Sequence, residues 1–133
     1  MGPKKIDHIG IAVKDLEAAK RFYEGSLGLK VEHEETLRDM RIAFVPVGEV
    51  NIELIEPMSE DGVIGKFIAK KGEGIHHIAY EVDDVSAVLE GLASQGMKLV
   101  DEVPRQGAHG KEVAFLHPKS SLGVLTEIVA RKR

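Results

Sequence analysis

A repeat at a shift of 69 residues constrains this chain more than any other feature. Laid over "IHHIAYEVDDVSAVL" (75–89), the segment "IDHIGIAVKDLEAAK" (6–20) gives identity at Ile6/Ile75, His8/His77, Ile9/Ile78, Val13/Val82, Asp15/Asp84 and Ala18/Ala87. These six of fifteen positions compare with roughly one expected by chance at ordinary residue frequencies. With small slips the correspondence continues. "LGLKV" (27–31) meets "QGMKLV" (95–100), "IAFV" (42–45) meets "VAFL" (113–116), and "VNIELI" (50–55) meets "VLTEIV" (124–129), so Glu53 falls on Glu127. Self-similarity at a fixed shift means that one supersecondary unit occurs twice.

Each copy reads in one order. A strand, about 6–13 and then about 75–82, leads to Asp15 or Asp84, the residue type that caps a helix N-terminus. The helix that follows keeps Leu16, Ala19, Phe22 and Tyr23 on one side in the first copy, and Val85, Val88, Leu89 and Leu92 in the second. Gly28 and Gly96 fall where a C-terminal cap belongs. Three further strands complete each copy, the last two being "RIAFVPV" with "VNIELIE" and "EVAFLHP" with "GVLTEIVA". Between the copies, Val63, Ile64, Phe67 and Ile68 at helical spacing predict a short amphipathic helix ending near Gly72. The expected fold is α+β, with two tandem βαβββ modules in one pseudo-symmetric domain over 1–133. Module one covers about 4–57, the linker helix about 59–73 and module two about 74–133.

Strand parity gives the repeated polar residues a direction. In the first strand His8, Gly10 and Ala12 share one face, while Ile9, Ile11 and Val13 share the apolar face that a helix would cover. In the last strand of each module Ile52 and Leu54, or Val124 and Ile128, can pack against the helices, which turns Glu53 and Glu127 the other way. Both histidines and both glutamates therefore point to the faces away from the helices. His76 must point opposite to His77 and reads as a flanking residue or a hydrogen-bond donor behind the site. His33, in the charged run "EHEET", reads as solvated surface.

Zero cysteines exclude disulfides and thiolate metal sites together, leaving imidazole and carboxylate as ligands. Two His and two Glu make a donor set suited to Zn²⁺, Co²⁺, Ni²⁺ or Mn²⁺ with positions left for water or substrate. A single His or Glu on a strand is ordinary. Four of them kept on one face through a duplication are costly unless their charges have partners. The net charge of −4, from 22 acids against 18 bases mixed along the chain, leaves no basic footprint for nucleic acid. The N-terminus "MGPKKIDH" has no apolar signal region, and no apolar run approaches the roughly 18 residues of a membrane span. These features predict a soluble, cytoplasmic protein with no membrane partner.

The tandem modules with His8, Glu53, His77 and Glu127 resemble the vicinal oxygen chelate superfamily, which includes glyoxalase I, extradiol dioxygenases, antibiotic-resistance proteins and methylmalonyl-CoA epimerases. "IDHIGIAVKDLE", "NIELIEP", "GEGIHHIAYEVDD", "GAHGKEVAFLHPK" and "GVLTEI" resemble the epimerases over nearly the whole chain. Glyoxalase I typically has an Asp-Pro-Asp-Gly type turn where this chain has His117, Pro118 and Lys119.

The resemblance implies one divalent metal ion, Co²⁺ or Zn²⁺ first and Mn²⁺ or Ni²⁺ next, held by His8, Glu53, His77 and Glu127 between curved sheets. It implies methylmalonyl-CoA as substrate and epimerisation at the carbon next to the thioester through a metal-stabilised enolate. It also implies a homodimer. Glu127 is the first choice for the base. Pseudo-symmetry offers Glu53 as its partner, with Glu112 and His109 as alternatives. Some members carry a glutamate at the position aligned with Arg41. Arginine stays protonated and cannot relay a proton, so Arg41 is expected either to orient the substrate carboxylate or to pair with Glu112. Lys111 and Lys119 are expected at the CoA phosphates, with Lys66, Lys70 and Lys71 as a second basic group. Two other readings stay open. One is a glyoxalase I acting on a glutathione hemithioacetal with the same ligands, and the other is a non-catalytic small-molecule binding protein of the same fold.

Overall fold

Alternating apolar strands and capped amphipathic helices predict two copies of one unit, and the chain folds as two such copies. The computed structural model describes residues 2–131. In chain order the elements are β1 (Lys5–Ala12), α1 (Leu16–Lys20), a π-helical turn (Arg21–Ser26), β2 (His33–Leu37), β3 (Met40–Val47), β4 (Val50–Pro57), α2 (Val63–Lys71), β5 (Gly74–Glu81), α3 (Val85–Ser94), β6 (Arg105–Gln106), a short 3₁₀ turn (Ala108–Gly110), β7 (Lys111–Leu116) and β8 (Thr126–Arg131). They fall into two compact units, residues 8–76 and residues 2–7 together with 77–131.

Within residues 8–76 the strands lie in the order β2-β3-β4-β1. β1 and β4 are parallel, with His8 beside Asn51 and Gly10 beside Glu53, and the other pairs are antiparallel. Within the other unit the order is β6-β7-β8-β5. There β5 and β8 are parallel, with Ala79 beside Glu127, and the rest are antiparallel. The two βαβββ modules thus repeat in topology as in sequence. The N-terminal residues belong with the second unit, where Lys4 N–H donates to Glu81 O at 2.8 Å.

The expected caps are present. Asp15 Oδ1 accepts from the N–H groups of Glu17 and Ala18, and Asp84 Oδ1 from Ala87, satisfying donors that a helix start otherwise leaves open. Gly28 (φ +74°) and Gly96 (φ +83°) follow the two helices in the left-handed region that a C-terminal cap requires. Each helix covers one sheet face. Leu16, Ala19 and Tyr23 pack on Ile11, Val13, Ala43, Val45, Ile52 and Leu54, and fully burying Leu16 and Leu54 contributes about 2 kcal/mol each. Val85, Val88, Leu89 and Leu92 pack on Val82, Ala114, Leu116, Ile128 and Ala130.

Three expectations are corrected. Phe22 is 51% exposed instead of packing inward. The helix widens into a π turn at Arg21, seen in the Leu27 N–H to Phe22 O bond between residues i+5 and i, so side chains beyond Lys20 leave the 3.6-residue period. Val124 does not pack against α3. The hydroxyls of Ser121 and Thr126 both donate to Val124 O, drawing this backbone out of the ladder, and β8 starts at Thr126. The strand equivalent to β2 shrinks in the second module to the two residues of β6. The linker helix forms as expected at Val63–Lys71, with Gly72 N–H closing on Ile68 O at 2.7 Å. No helix among the described residues is long and apolar enough to cross a membrane.

Candidate metal centre

Register and parity bring each histidine to its glutamate. His8 and Gly10 share a face of β1, and Glu53 lies directly across from Gly10 on β4, so His8 and Glu53 meet on the diagonal with Nδ1 3.0 Å from Oε2. The second module repeats this. Glu127 lies across from Ala79, and His77 Nε2 stands 2.9 Å from Glu127 Oε1. Gly10 and Ala79 occupy the same repeat position, where a small residue leaves room for the diagonal contact. On its other side each glutamate faces an aromatic ring, Phe44 for Glu53 and Phe115 for Glu127. The His77 ring meets Phe115 edge-on, with centroids 5.4 Å apart. Sequence reading missed the phenylalanines as part of the site, although the match of "IAFV" with "VAFL" already paired them.

All four polar side chains are buried, between 5% and 8% exposed. A carboxylate withdrawn this far from water is stable only beside opposite charge or hydrogen-bond donors, and in low dielectric those interactions are strong. Imidazole nitrogen and carboxylate oxygen are also the donors that borderline divalent ions take. Each pair, His8 with Glu53 and His77 with Glu127, therefore offers a buried imidazole and a buried carboxylate of the kind such ions take.

The remaining candidates sit elsewhere. Arg41 shares the helix-covered face with Ala43 and Val45, opposite the face of Glu53. Its Nη1 is 3.1 Å from Glu56 Oε1 and its Nη2 3.6 Å from Glu17 Oε2. Its partners are thus Glu56 and Glu17 rather than Glu112, because strand parity turns it toward α1. There it braces the helix start instead of reaching a substrate beside Glu53, and the β3 residues that do share the face of Glu53 include Ile42 and Phe44. Glu112 shares its face of β7 with Ala114 and Leu116 in the helix-side core, which turns it away from Glu127. His109 holds a left-handed turn at φ +62°. Lys111 Nζ is 2.7 Å from Oδ1 of Asp7, which is buried. Lys119 is exposed in the segment before β8, its N–H donating to His117 Nδ1 at 3.1 Å. His76 packs edge-on against Phe67 of α2, away from His77 as parity requires, and His33 pairs with Glu35.

The sequence profile of the Glyoxalase/Bleomycin resistance protein/Dioxygenase superfamily matches residues 7–115. The chain belongs to this superfamily. The uncharacterized protein YqjC of Bacillus subtilis is 44% identical over 130 residues, covering 96% of this chain and 93% of YqjC. The ethylmalonyl-CoA/methylmalonyl-CoA epimerase of Cereibacter sphaeroides is 39% identical over 128 residues, covering 93% and 96% of the two chains. Among solved structures, a variant of Streptomyces coelicolor methylmalonyl-CoA epimerase in complex with 2-nitronate-propionyl-CoA superposes with a TM-score of 0.94 at 39% identity, covering 98% of this chain and 96% of the other. This member of the superfamily thus shares fold and sequence over nearly its whole length with epimerases of acyl-CoA thioesters.

Proposed function

We propose that the chain is a methylmalonyl-CoA epimerase that uses one divalent ion, held jointly by His8, Glu53, His77 and Glu127. The observation that carries the reading is the duplicated, buried pairing of His8 with Glu53 and of His77 with Glu127, each on the sheet face away from its helix. The similarity to the Cereibacter and Streptomyces epimerases supports the substrate class. Co²⁺ or Zn²⁺ suits the donor set best. When bound, the ion supplies Lewis-acid polarisation of the thioester carbonyl, which acidifies the neighbouring carbon.

The protein's own groups then move the proton. Glu127 takes it from the 2-carbon on one carboxylate oxygen, its other oxygen being turned toward His77, 2.9 Å from Nε2. Glu53, in the equivalent position of the first module, enters the turnover protonated on the oxygen that faces the substrate and delivers that proton to the opposite face, and proton exchange with water then resets both acids. The buried apolar residues Phe44 and Ala79 beside the two glutamates exclude water that would otherwise screen the developing negative charge. In this reading the exposed ammonium of Lys119 meets a CoA phosphate. A cytoplasmic homodimer completes this reading.

The test is incubation of metal-loaded protein with one epimer of methylmalonyl-CoA in deuterated water. The expected result is deuterium at the 2-carbon together with interconversion of the epimers. Recovery of unlabelled, uninverted substrate with metal bound would refute the activity.

A further inference from the structure

We propose that Arg105 is the specificity residue of this enzyme, holding the free carboxylate of the 2-carboxyacyl thioester by its guanidinium fork. The proposal rests on the epimerase reading above. Arg105 lies on β6 in register with Val113, so it shares a sheet face with Val113 and Phe115, the face that also carries Glu127 and His77. Its guanidinium carbon stands 5.4 Å from the centroid of Phe115, and Phe115 in turn touches the His77 ring. The charge is therefore one aromatic ring away from the candidate metal ligand.

Its orientation is fixed from behind. Nε lies 3.3 Å from Asp101, and Asp101 Oδ2 also accepts the Phe115 N–H at 2.9 Å, which ties the arginine to the strand it covers. Gly107, two residues on, holds β6 close to β7, since a Cβ there would come within 2.6 Å of Val113 Cγ1. The Nη groups have no partner among the described residues, and the side chain is 43% exposed. An arginine anchored through Nε and stacked on a ring, with its outer fork open to solvent, is pre-organised for bidentate contact with a planar oxyanion.

Two parts of the ligand carry oxyanions, the acyl carboxylate and the CoA phosphates. The carboxylate is favoured because it lies a few bonds from the reacting carbon, whereas the phosphates lie at the far end of the pantetheine arm. Calorimetry with metal-loaded wild type, Arg105→Gln and Arg105→Lys, each against malonyl-CoA, acetyl-CoA and malonyl-pantetheine, separates them. The expected result is that Arg105→Gln weakens malonyl-CoA and malonyl-pantetheine by roughly tenfold or more and leaves acetyl-CoA unchanged. Arg105→Lys, which keeps the charge but loses the fork, should fall between. Weakening of both CoA ligands with malonyl-pantetheine unaffected would place a phosphate at Arg105 and overturn the carboxylate assignment. Equal affinity of wild type and Arg105→Gln for all three would remove Arg105 from the site. In either case deuterium exchange by the wild type would leave the epimerase reading standing, whereas failure of that exchange would overturn the reading itself.

Discussion

Glu56 of β4 grips Arg41 of β3 with one carboxylate oxygen at 3.1 Å and uses the other to accept the N–H of Leu16 at 2.9 Å. One acid thus ties two strands to the first turn of α1, where a negative charge also suits the helix dipole. Arg41→Ala should therefore lower stability by about 1 kcal/mol and leave epimerisation within about threefold of wild type. Denaturant melts and the exchange assay measure the two effects. A loss of activity larger than the loss of stability would return Arg41 to the substrate.

His8→Ala and His77→Ala should each lose metal and activity while keeping the fold, because one ligand is removed and both helix-packed cores stay intact. Metal analysis with circular dichroism tests this. Full metal content in either variant would take that histidine out of the coordination sphere.

His76→Gln should keep the metal and most of the rate. It should cost about 1 kcal/mol of stability through the lost edge-on contact with Phe67. Behaviour like that of His77→Ala would mean that the parity of β5 had been misread.

Glu127→Gln should reduce proton exchange at the 2-carbon by roughly a hundredfold or more, with a smaller loss of metal affinity. The amide retains a ligand oxygen but accepts no proton at neutral pH. Glu53→Gln separates two schemes. If Glu53 is the second base, one epimer should still take up deuterium without inverting. If it is only a ligand, exchange and inversion should decline together.

Lys111→Met should cost about 2 kcal/mol by removing the charged hydrogen-bond donor 2.7 Å from the buried Asp7 carboxylate. The double variant Asp7→Leu/Lys111→Met should recover much of that in the same urea titration. A single variant as stable as wild type would show that Asp7 is compensated by other contacts.

The sequence revealed the fold where its own repetition enforced a pattern. His8, Glu53, His77 and Glu127 could be placed on one side of their strands because period-two alternation leaves only two faces and the helices claim one. The limits of that logic are equally physical. Phe22 was misplaced because nothing in the "RFYEGS" segment announces a change from i+4 to i+5 bonding. Val124 was misplaced because hydroxyl groups compete for its carbonyl and shorten the strand. Nothing in the sequence distinguishes Arg105, because it sits in the segment where the two modules diverge most and its neighbours Phe115 and Asp101 are brought beside it only by the fold.

The parallel pairing of β1 with β4 and of β5 with β8 also has a kinetic consequence. The β3–β4 hairpin turns through Gly48 and Glu49 and can close within microseconds, but His8 stands 43 positions before its partner Asn51, and Ile78 stands 48 before Thr126. Loop-closure entropy makes such long-range parallel pairings late events. In each module the histidine therefore arrives after the glutamate's hairpin is built, so neither His–Glu pair can form before the backbone topology of its module is complete. In a stopped-flow refolding experiment, uptake of a spectroscopically visible ion such as Co²⁺ should coincide with the slowest chain-ordering phase rather than precede it.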